Sequence, residues 1–349
     1  MWERIEPLRK WLGRGFLFAG LAVAGAFISR PVVVSAHHST AGYVDEITEA
    51  EGEIVRIEWR NPHIRIALKS INSDGDEELW IMHGNSIYNL RREGVTQDLF
   101  RIGDRVRVAG RRSSRNDLDF LATNVLLPDE REVTLWRGSQ PRWSNEILGG
   151  RDLLVERALN GDSTSDGEGI FRVWSVPGTR RLVTHLPFHE SAIAARESWD
   201  MFDNFATRCE PEGMPRIMTN PHPFEFIDQG DQIALRTELY DIERTIHMNR
   251  SEPSSSEPWS KLGYSTGEWE DESLIVRTSR INWPFFDTIG TPQSEAVEVV
   301  ERFTVSDDQN RLDFHITVTD PQTFTEPATA EGYWLALGET IPIYDCQTD

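Results

Sequence analysis

The stretch that decides the fold covers residues 232–290, QIALRTELYDIERTIHMNRSEPSSSEPWSKLGYSTGEWEDESLIVRTSRINWPFFDTIG. Both of its flanks alternate apolar with polar residues, as in IALRTEL, and this period of two is typical of strands with one buried face. Its middle is rich in serine, proline and glycine, which indicates turns. The stretch therefore predicts the centre of an antiparallel β-domain.

Similar patterns surround it and predict a domain over residues 169–349. Eight strand-like segments with short turns favour a closed antiparallel barrel or a strongly curved sheet. These segments are residues 224–228, 232–240, 242–249, 273–281, 295–305, 311–319, 332–337 and 341–346. An amphipathic helix is predicted within 186–205. Residues 136–168 predict a connecting helix, at 146–159, and a polar linker.

A second, smaller β-domain is predicted over residues 37–135. About five short strands alternate here with turn signals such as Asn72 to Asp76, and one helical segment (86–94) separates the third strand from the fourth. This order resembles a small OB-like barrel. The expected fold class is thus mainly β, with a small OB-like barrel followed by a larger antiparallel barrel or curved sheet and a few helices.

The first 36 residues have the layout of a secretory signal peptide. Basic residues precede an apolar run at 15–28 (GFLFAGLAVAGAFI), and small residues at Val34 and Ala36 suit a cleavage site. A membrane span needs roughly 20 apolar residues, so this run is short for an anchor. Cleavage after Ala36 and a periplasmic or secreted mature protein, without stable membrane insertion, are expected.

The charge of the chain excludes one class of partner. Its formal net charge is −21 at pH 7. An acidic surface repels phosphate backbones, so nucleic acid is not expected to bind.

The two cysteines, Cys209 and Cys346, are the only ones in the chain. In an exported protein such a pair is more typical of a disulfide than of a reactive thiol. We therefore expect a bond between the C-terminus and a loop far upstream.

The N-terminal half resembles an exported bacterial family of unknown function, DUF6152. The matching residues are AHHS at 36–39, GEIVRIEW at 52–59, NPH at 61–63, Trp80, LRREG at 90–94 and GDRV at 103–106. The strand after Trp80 carries Met82 and His83 where this family usually has an acidic residue. The resemblance implies no activity.

The C-terminal half resembles an uncharacterised domain of environmental bacteria. The matching residues include CEPEGMP at 209–215, RTIH at 244–247, GYSTGEW at 263–269 and ERF at 301–303. This resemblance likewise implies no activity.

The mature N-terminus is a candidate metal site. The free amine and imidazole of His37 can chelate one ion, and His38 or His63 can complete a nitrogen site suited to copper. The alternative is that His37 and His38 only form a tail beside the cleavage point.

Two charged residues lie where their strand neighbours are apolar. Arg244 falls on the apolar face of 242–248, and Glu301 falls among the apolar residues of 297–305. Because an unpaired buried charge is costly, the two are candidates for an ion pair. The pair is either structural or part of a ligand cavity in which His247 or Asp287 acts as acid or base.

Aromatic residues gather around the loops of the same half. Such residues can form the mouth of an apolar pocket, although packing between hairpins explains them equally well. The candidate ligand-binding residues are Tyr240, Tyr264, Trp283, Phe286 and His315.

Three functions are compatible with these patterns. The leading one is binding of a small apolar or uncharged molecule by the C-terminal barrel, because barrels of about eight strands can hold one small ligand. The second is an acid–base enzyme without organic cofactor (an isomerase, dehydratase or cyclase) that uses a pocket in the same barrel. The third is a periplasmic copper protein built on His37.

Overall fold

The structure is a computed structural model that describes residues 43–114, 116–160, 167–177, 182–200, 204–250 and 257–347. The predicted signal segment, with His37 and His38, lies outside these residues. The described chain forms a seven-stranded and a ten-stranded sheet, so the prediction of a mainly β fold is confirmed.

The first sheet contains a closed five-stranded ring. Its strands are β1 (Tyr43–Glu58), β2 (Arg65–Ile71), β3 (Glu77–His83), β4 (Arg105–Ser113), β5 (Asp119–Leu126), β6 (Glu132–Thr134) and β7 (Ile147–Gly149). They lie in the order β3-β2-β1-β4-β5-β6-β7. A parallel pairing of β3 with β5 closes the first five strands. The ring with its single helix is the predicted OB-like arrangement.

The long strand β1 pairs with two neighbouring strands. It pairs with β4 as far as Glu53, and with β2 from Glu53 onward. Gly52 lies next to this change of partner, and a Cβ atom there would lie 2.7 Å from the backbone oxygen of Lys69. Only glycine permits this close approach of two strands.

Helix α1 (Ile87–Arg92) follows β3, as the sequence predicts. The side chain of Ser86 caps it by accepting a hydrogen bond from the backbone N–H of Asn89 at 3.3 Å. Gly94, with φ +72°, ends it. The helix therefore presents Tyr88, Arg91 and Arg92 at a fixed place beside the ring.

The second sheet is a curled half-barrel. Its strands are β8 (Val173–Trp174), β9 (Val183–His185), β10 (Phe224–Asp228), β11 (Gln232–Thr237), β12 (Glu243–Met248), β13 (Tyr264–Glu270), β14 (Ser273–Ser279), β15 (Glu298–Val305), β16 (Arg311–Thr319) and β17 (Ala328–Leu335). Their order is β8-β10-β11-β12-β13-β14-β15-β16-β17-β9, and β12–β13 is its parallel pair. Of the two expected forms, the curved sheet is the one observed.

Aromatic side chains fill the concave face of the half-barrel. The ring of Trp334 stacks on Phe314 with centroids 4.0 Å apart and meets Phe224 edge-on at 4.6 Å. Trp334 and Trp174 are almost fully buried. The concave face is therefore a packed core over most of its length.

Two strand predictions in this half are wrong. Residues 341–346 alternate like a strand but do not form one. The backbone N–H of Tyr344 donates to the carboxylate of Asp241, and Cys346 forms a bridge with Asn61. Strand β13 was not among the predicted strands, because Gly263 and Gly267 were interpreted as hairpin and bulge positions. A Cβ at Gly267 would lie 2.6 Å from the Met248 sulfur, so this glycine makes room for a neighbouring core side chain.

The helices are shorter than expected. The segment 146–159 divides into β7 and helix α2 (Leu153–Leu159), which Asp152 caps. The helix predicted within 186–205 is only α3 (Glu190–Glu197).

A disulfide joins Cys209 to Cys346 and confirms the predicted pairing. It lies where the C-terminal segment meets the ring, since Asn61 forms a bridge with Cys346. A second tie comes from Arg92, which donates to the Val176 carbonyl at 2.9 Å and pairs with Asp152 at 2.6 Å. The two sheets therefore share a seam of polar contacts.

Candidate functional site

Arg244 and Glu301 do form an ion pair, and the pair is fully enclosed. Their side chains are 1% and 0% exposed. Arg244 also donates to the hydroxyls of Ser265 at 3.0 Å and Thr278 at 2.7 Å. Because these partners come from β12, β13, β14 and β15, the guanidinium crosses four adjacent strands. The pair therefore links four neighbouring strands of the half-barrel.

The other two predicted catalytic residues do not join this pair. His247 lies on the opposite face of β12 and stacks on Tyr264 with ring centroids 4.7 Å apart. Asp287 lies in a loop, where it accepts hydrogen bonds from the backbone and hydroxyl of Thr291. The carboxylate therefore fixes a turn.

The predicted ligand-binding residues are dispersed. Tyr240 packs on Tyr344, Trp283 is buried, and Phe286 meets Phe324 edge-on at 5.0 Å. Tyr264 and His315 lie on the convex side of the half-barrel, on β13 and β16.

His63 is the one predicted metal ligand among the described residues. Its Nδ1 lies 3.1 Å from the Gly84 carbonyl. Burial lowers the pKa of its imidazole to about 4. Within residues 43–347, as far as the structure describes them, no group of three or more histidine, cysteine or acidic side chains is placed to hold a metal ion.

A groove of about 620 Å³ lies at one end of the half-barrel. The concave-face residues Phe303 and Val305 form its floor, and Trp269, from the end of β13, forms one wall. Residues 168–171 form the opposite wall, with Phe171 meeting Trp269 edge-on at 6.5 Å. Volumes of this size are typical of sites for small molecules.

The aromatic wall of the groove faces solvent. Trp269 is 46% exposed although it belongs to the concave face, whereas Phe303 beneath it is 1% exposed. An exposed indole above an apolar floor offers a flat surface on which a ligand can stack. The groove can therefore bury the apolar part of a ligand.

Three carboxylates edge the groove, those of Glu168, Glu272 and Asp307. Among the described residues, none of them has an ion-pair partner. The guanidinium of the nearby Arg172 donates hydrogen bonds to the carbonyls of Gly167 and Gln309 instead. The rim therefore repels anions and tolerates uncharged molecules.

A smaller hollow of about 370 Å³ lies on the first sheet. Charged side chains of Glu49, Glu51, Lys69 and Arg105 line much of it, and Trp80 is 7% exposed there. Because it offers less apolar surface, it is a weaker candidate than the groove.

The sequence did not single out the groove. Trp269 was not among the predicted ligand-binding residues, and the walls come from three segments that lie far apart in the chain. One signal was present: Trp269 stands between Glu268 and Glu270, and acidic neighbours on both sides indicate an exposed strand end.

Residues 26–118 match DUF6152, a family of unknown function. The resemblance of the N-terminal half is therefore confirmed, and the match ends just before β5. No family is assigned to the C-terminal half, and no curated protein matches the chain.

Several residues that carry the DUF6152 resemblance lie at the seam. Asn61 donates from its side-chain amide to the Tyr344 carbonyl. Arg91 donates to Glu238 at 3.2 Å, and Arg92 contacts Val176. The motif residues of the ring therefore bind the half-barrel.

Two observations bear on location. The Cys209–Cys346 disulfide is typical of proteins in an oxidising compartment. None of the helices in the described residues is long and apolar enough to cross a bilayer.

Proposed function

We propose that this chain is an exported protein that binds a small apolar or uncharged molecule in the groove at the end of the half-barrel. The observation that carries the proposal is the exposed wall of Trp269 above the buried floor of Phe303. Small-molecule sites combine apolar surface with a few polar groups. This groove combines its aromatic walls with the polar side chains of Glu168, Glu272, Asp307 and Gln309. The acidic residues at the rim disfavour the binding of anionic ligands.

The acid–base alternative has less support. A general base must reach a substrate proton. Arg244 and Glu301 are enclosed and satisfy one another, and His247 lies on the other face of the strand. Binding without chemistry is therefore the function that we put forward.

Export is the second part of the proposal, and an intact mass tests it. Protein produced in a Gram-negative host and recovered from the periplasm is expected to begin at His37 and to carry the Cys209–Cys346 bond. The basic and apolar segments of residues 1–36 and the disulfide support this outcome. A mass that retains residues 1–36 in the cytoplasmic fraction would contradict export.

Binding in the groove is expected to depend on Trp269. Titration with the uncharged dye N-phenyl-1-naphthylamine should give a saturable rise in fluorescence, and Trp269→Ala should weaken binding at least tenfold, because a stacked aromatic contributes strongly to binding. Thermal unfolding of the variant should change little, since the indole is already 46% exposed.

Trp259 provides the matched control for this titration. It is 45% exposed and contacts Arg280, but it does not line the groove. Trp259→Ala should leave the affinity for the dye unchanged. Equal loss in both variants, or no saturable binding by the parent chain, would overturn the proposal.

A further inference from the structure

The groove at the end of the half-barrel has room for a ligand, whereas the seam is filled. The groove has a volume of about 620 Å³. At the seam, Tyr88 packs on His222 with ring centroids 4.8 Å apart, and His222 meets Tyr344 edge-on at 5.5 Å. The side chains around the groove, rather than those of the seam, are therefore placed to select a ligand.

Three separate turns hold the carboxylates of the groove. Glu272 belongs to the two-residue turn between β13 and β14. Asp307 belongs to the hydrogen-bonded turn between β15 and β16. Glu168 begins a turn in which its carbonyl accepts a hydrogen bond from the backbone N–H of Phe171 at 3.1 Å. The fold therefore brings three negative charges from distant parts of the chain to one open space.

The charge that lines the groove is of one sign. Its lining contains these three carboxylates and no lysine, arginine or histidine. Within the described part of the chain, none of the three forms an ion pair. The guanidinium of Arg172, behind the wall, donates to backbone carbonyls. A cleft lined by one sign of charge concentrates the field, so the groove attracts a positive group.

Trp269 adds a second attraction for positive charge. The face of an indole attracts a cation that lies within about 6 Å of the ring centroid. Trp259 and Trp269 are the exposed tryptophans of the described residues, at 45% and 46%. Arg280 lies over the ring of Trp259 at 5.9 Å, whereas no lysine or arginine of the described chain lies over Trp269. The ring of Trp269 is therefore open to a cation from outside.

The floor of the groove determines the form of the cation. Phe303 is buried beneath Trp269, and Val305 lies beside it. A compact ammonium is strongly hydrated, and an apolar floor cannot replace the water that it loses. A quaternary ammonium carries alkyl groups around its charge, and aromatic surfaces recognise such groups.

We propose that the groove selects a small aromatic molecule that carries a quaternary ammonium group. The ammonium lies on the indole of Trp269, within the field of Glu168, Glu272 and Asp307, and the aromatic part lies on Phe303. This inference rests on the proposed function, because it requires the groove to be a binding site. It goes beyond that function, since it adds that a positive ligand binds better than an uncharged one of the same shape.

Two probes of the same shape test the preference for charge. Phenyltrimethylammonium and tert-butylbenzene differ in one atom, a positive nitrogen in place of a neutral carbon. The equivalent methyl protons of each probe give a single NMR line, and its broadening on titration with the intact chain gives the affinity. At low ionic strength, we expect the cation to bind about tenfold more tightly than the hydrocarbon.

The double variant Glu272→Gln, Asp307→Asn removes two of the charges and keeps the shapes of the side chains. Both residues are exposed, so the variant should fold as the parent does. We expect it to bind the cation about tenfold more weakly and tert-butylbenzene as well as the parent. The matched control is Glu295→Gln, Glu298→Gln, which removes two exposed charges outside the groove. It should leave both affinities unchanged.

The outcomes separate this proposal from the proposed function. Saturable binding of both probes with equal affinity would overturn the preference for a cation and leave the groove as a site for uncharged molecules. Binding of neither probe would overturn both. Equal weakening of the cation in the groove variant and in the matched control would mean that the net charge of the chain alone attracts it, and the proposal would again be wrong.

Discussion

Replacing Arg244 with methionine is expected to lower the free energy of unfolding by about 3–5 kcal/mol, because the loss of one partner leaves a buried charge without compensation. Glu301 is 0% exposed, and its carboxylate receives two guanidinium hydrogen bonds. Ser265 and Thr278 would lose a partner at the same time. Urea unfolding, monitored by tryptophan fluorescence with the disulfide intact, measures this loss of free energy.

Two further variants separate the pair from simple packing. Adding Glu301→Leu to Arg244→Met removes the stranded charge, so the double variant should recover much of the lost stability. Arg302→Ala is the control for charge alone, because the Arg302–Glu270 pair is about half exposed on both sides. It should cost no more than about 1 kcal/mol. A loss of that small size for Arg244→Met would show that the buried pair does not hold the sheet.

The sequence predicted this pair from one kind of evidence. Arg244 and Glu301 each interrupt an apolar strand face. Because a buried charge without a partner is costly, the two residues were predicted to pair. Their strand partners could not be predicted, since β12 and β15 are separated by two strands whose order depends on contacts far along the chain. Strand β13 was not predicted, because glycines such as Gly263 and Gly267 usually indicate turns. The sequence does not show that Gly267 makes room for the side chain of Met248 in the neighbouring strand.

The groove and the seam could not be predicted from local sequence patterns, for a related reason. Each is built from segments that are distant in sequence, and no single segment shows the whole chemistry. His222 was not singled out at all, because the run NPHPF reads as a turn before a strand. The segment 341–346 was misread because alternation alone cannot show that Cys346 and Tyr344 anchor it against Asn61 and Asp241.

The prediction for the N-terminal half was more complete than that for the C-terminal half. In the ring, the turn signals are clear and one helix separates β3 from β4, so strand count and helix position followed from the sequence. In the half-barrel, the edge strands β8 and β9 are two and three residues long. Such short segments carry almost no periodicity.

Acid is expected to weaken the folded state through His222. Burial, with the nearby positive charges of Arg91 and Arg216, lowers the pKa of this imidazole from 6.5 to about 3. The unfolded chain therefore binds a proton near pH 6.5, whereas the folded chain binds it only near pH 3. The stabilising contribution is complete above pH 6.5 and is lost progressively as the pH falls toward 3.

Two neighbouring groups shape the measured profile. The pKa of His63 is lowered to about 4 by burial, which adds a loss of the same sign. Burial raises the pKa of Glu238 to about 7, and its contribution has the opposite sign. It is complete below pH 4.5 and is lost as the pH rises through 7. The parent chain should therefore show a shallower decline in acid than the two histidines alone would give.

Comparison with His222→Phe isolates the histidine. Between pH 7.5 and pH 4.5 the unfolded imidazole becomes charged over about two pH units, and each unit corresponds to about 1.4 kcal/mol. The decline in the free energy of unfolding over this range should therefore be about 2–3 kcal/mol smaller in the variant than in the parent. Glu238→Gln should change the profile in the opposite direction, because it removes the contribution that favours acid. Identical profiles for the parent and His222→Phe would mean that folding does not lower the pKa of this imidazole, and the expected acid dependence would then be wrong.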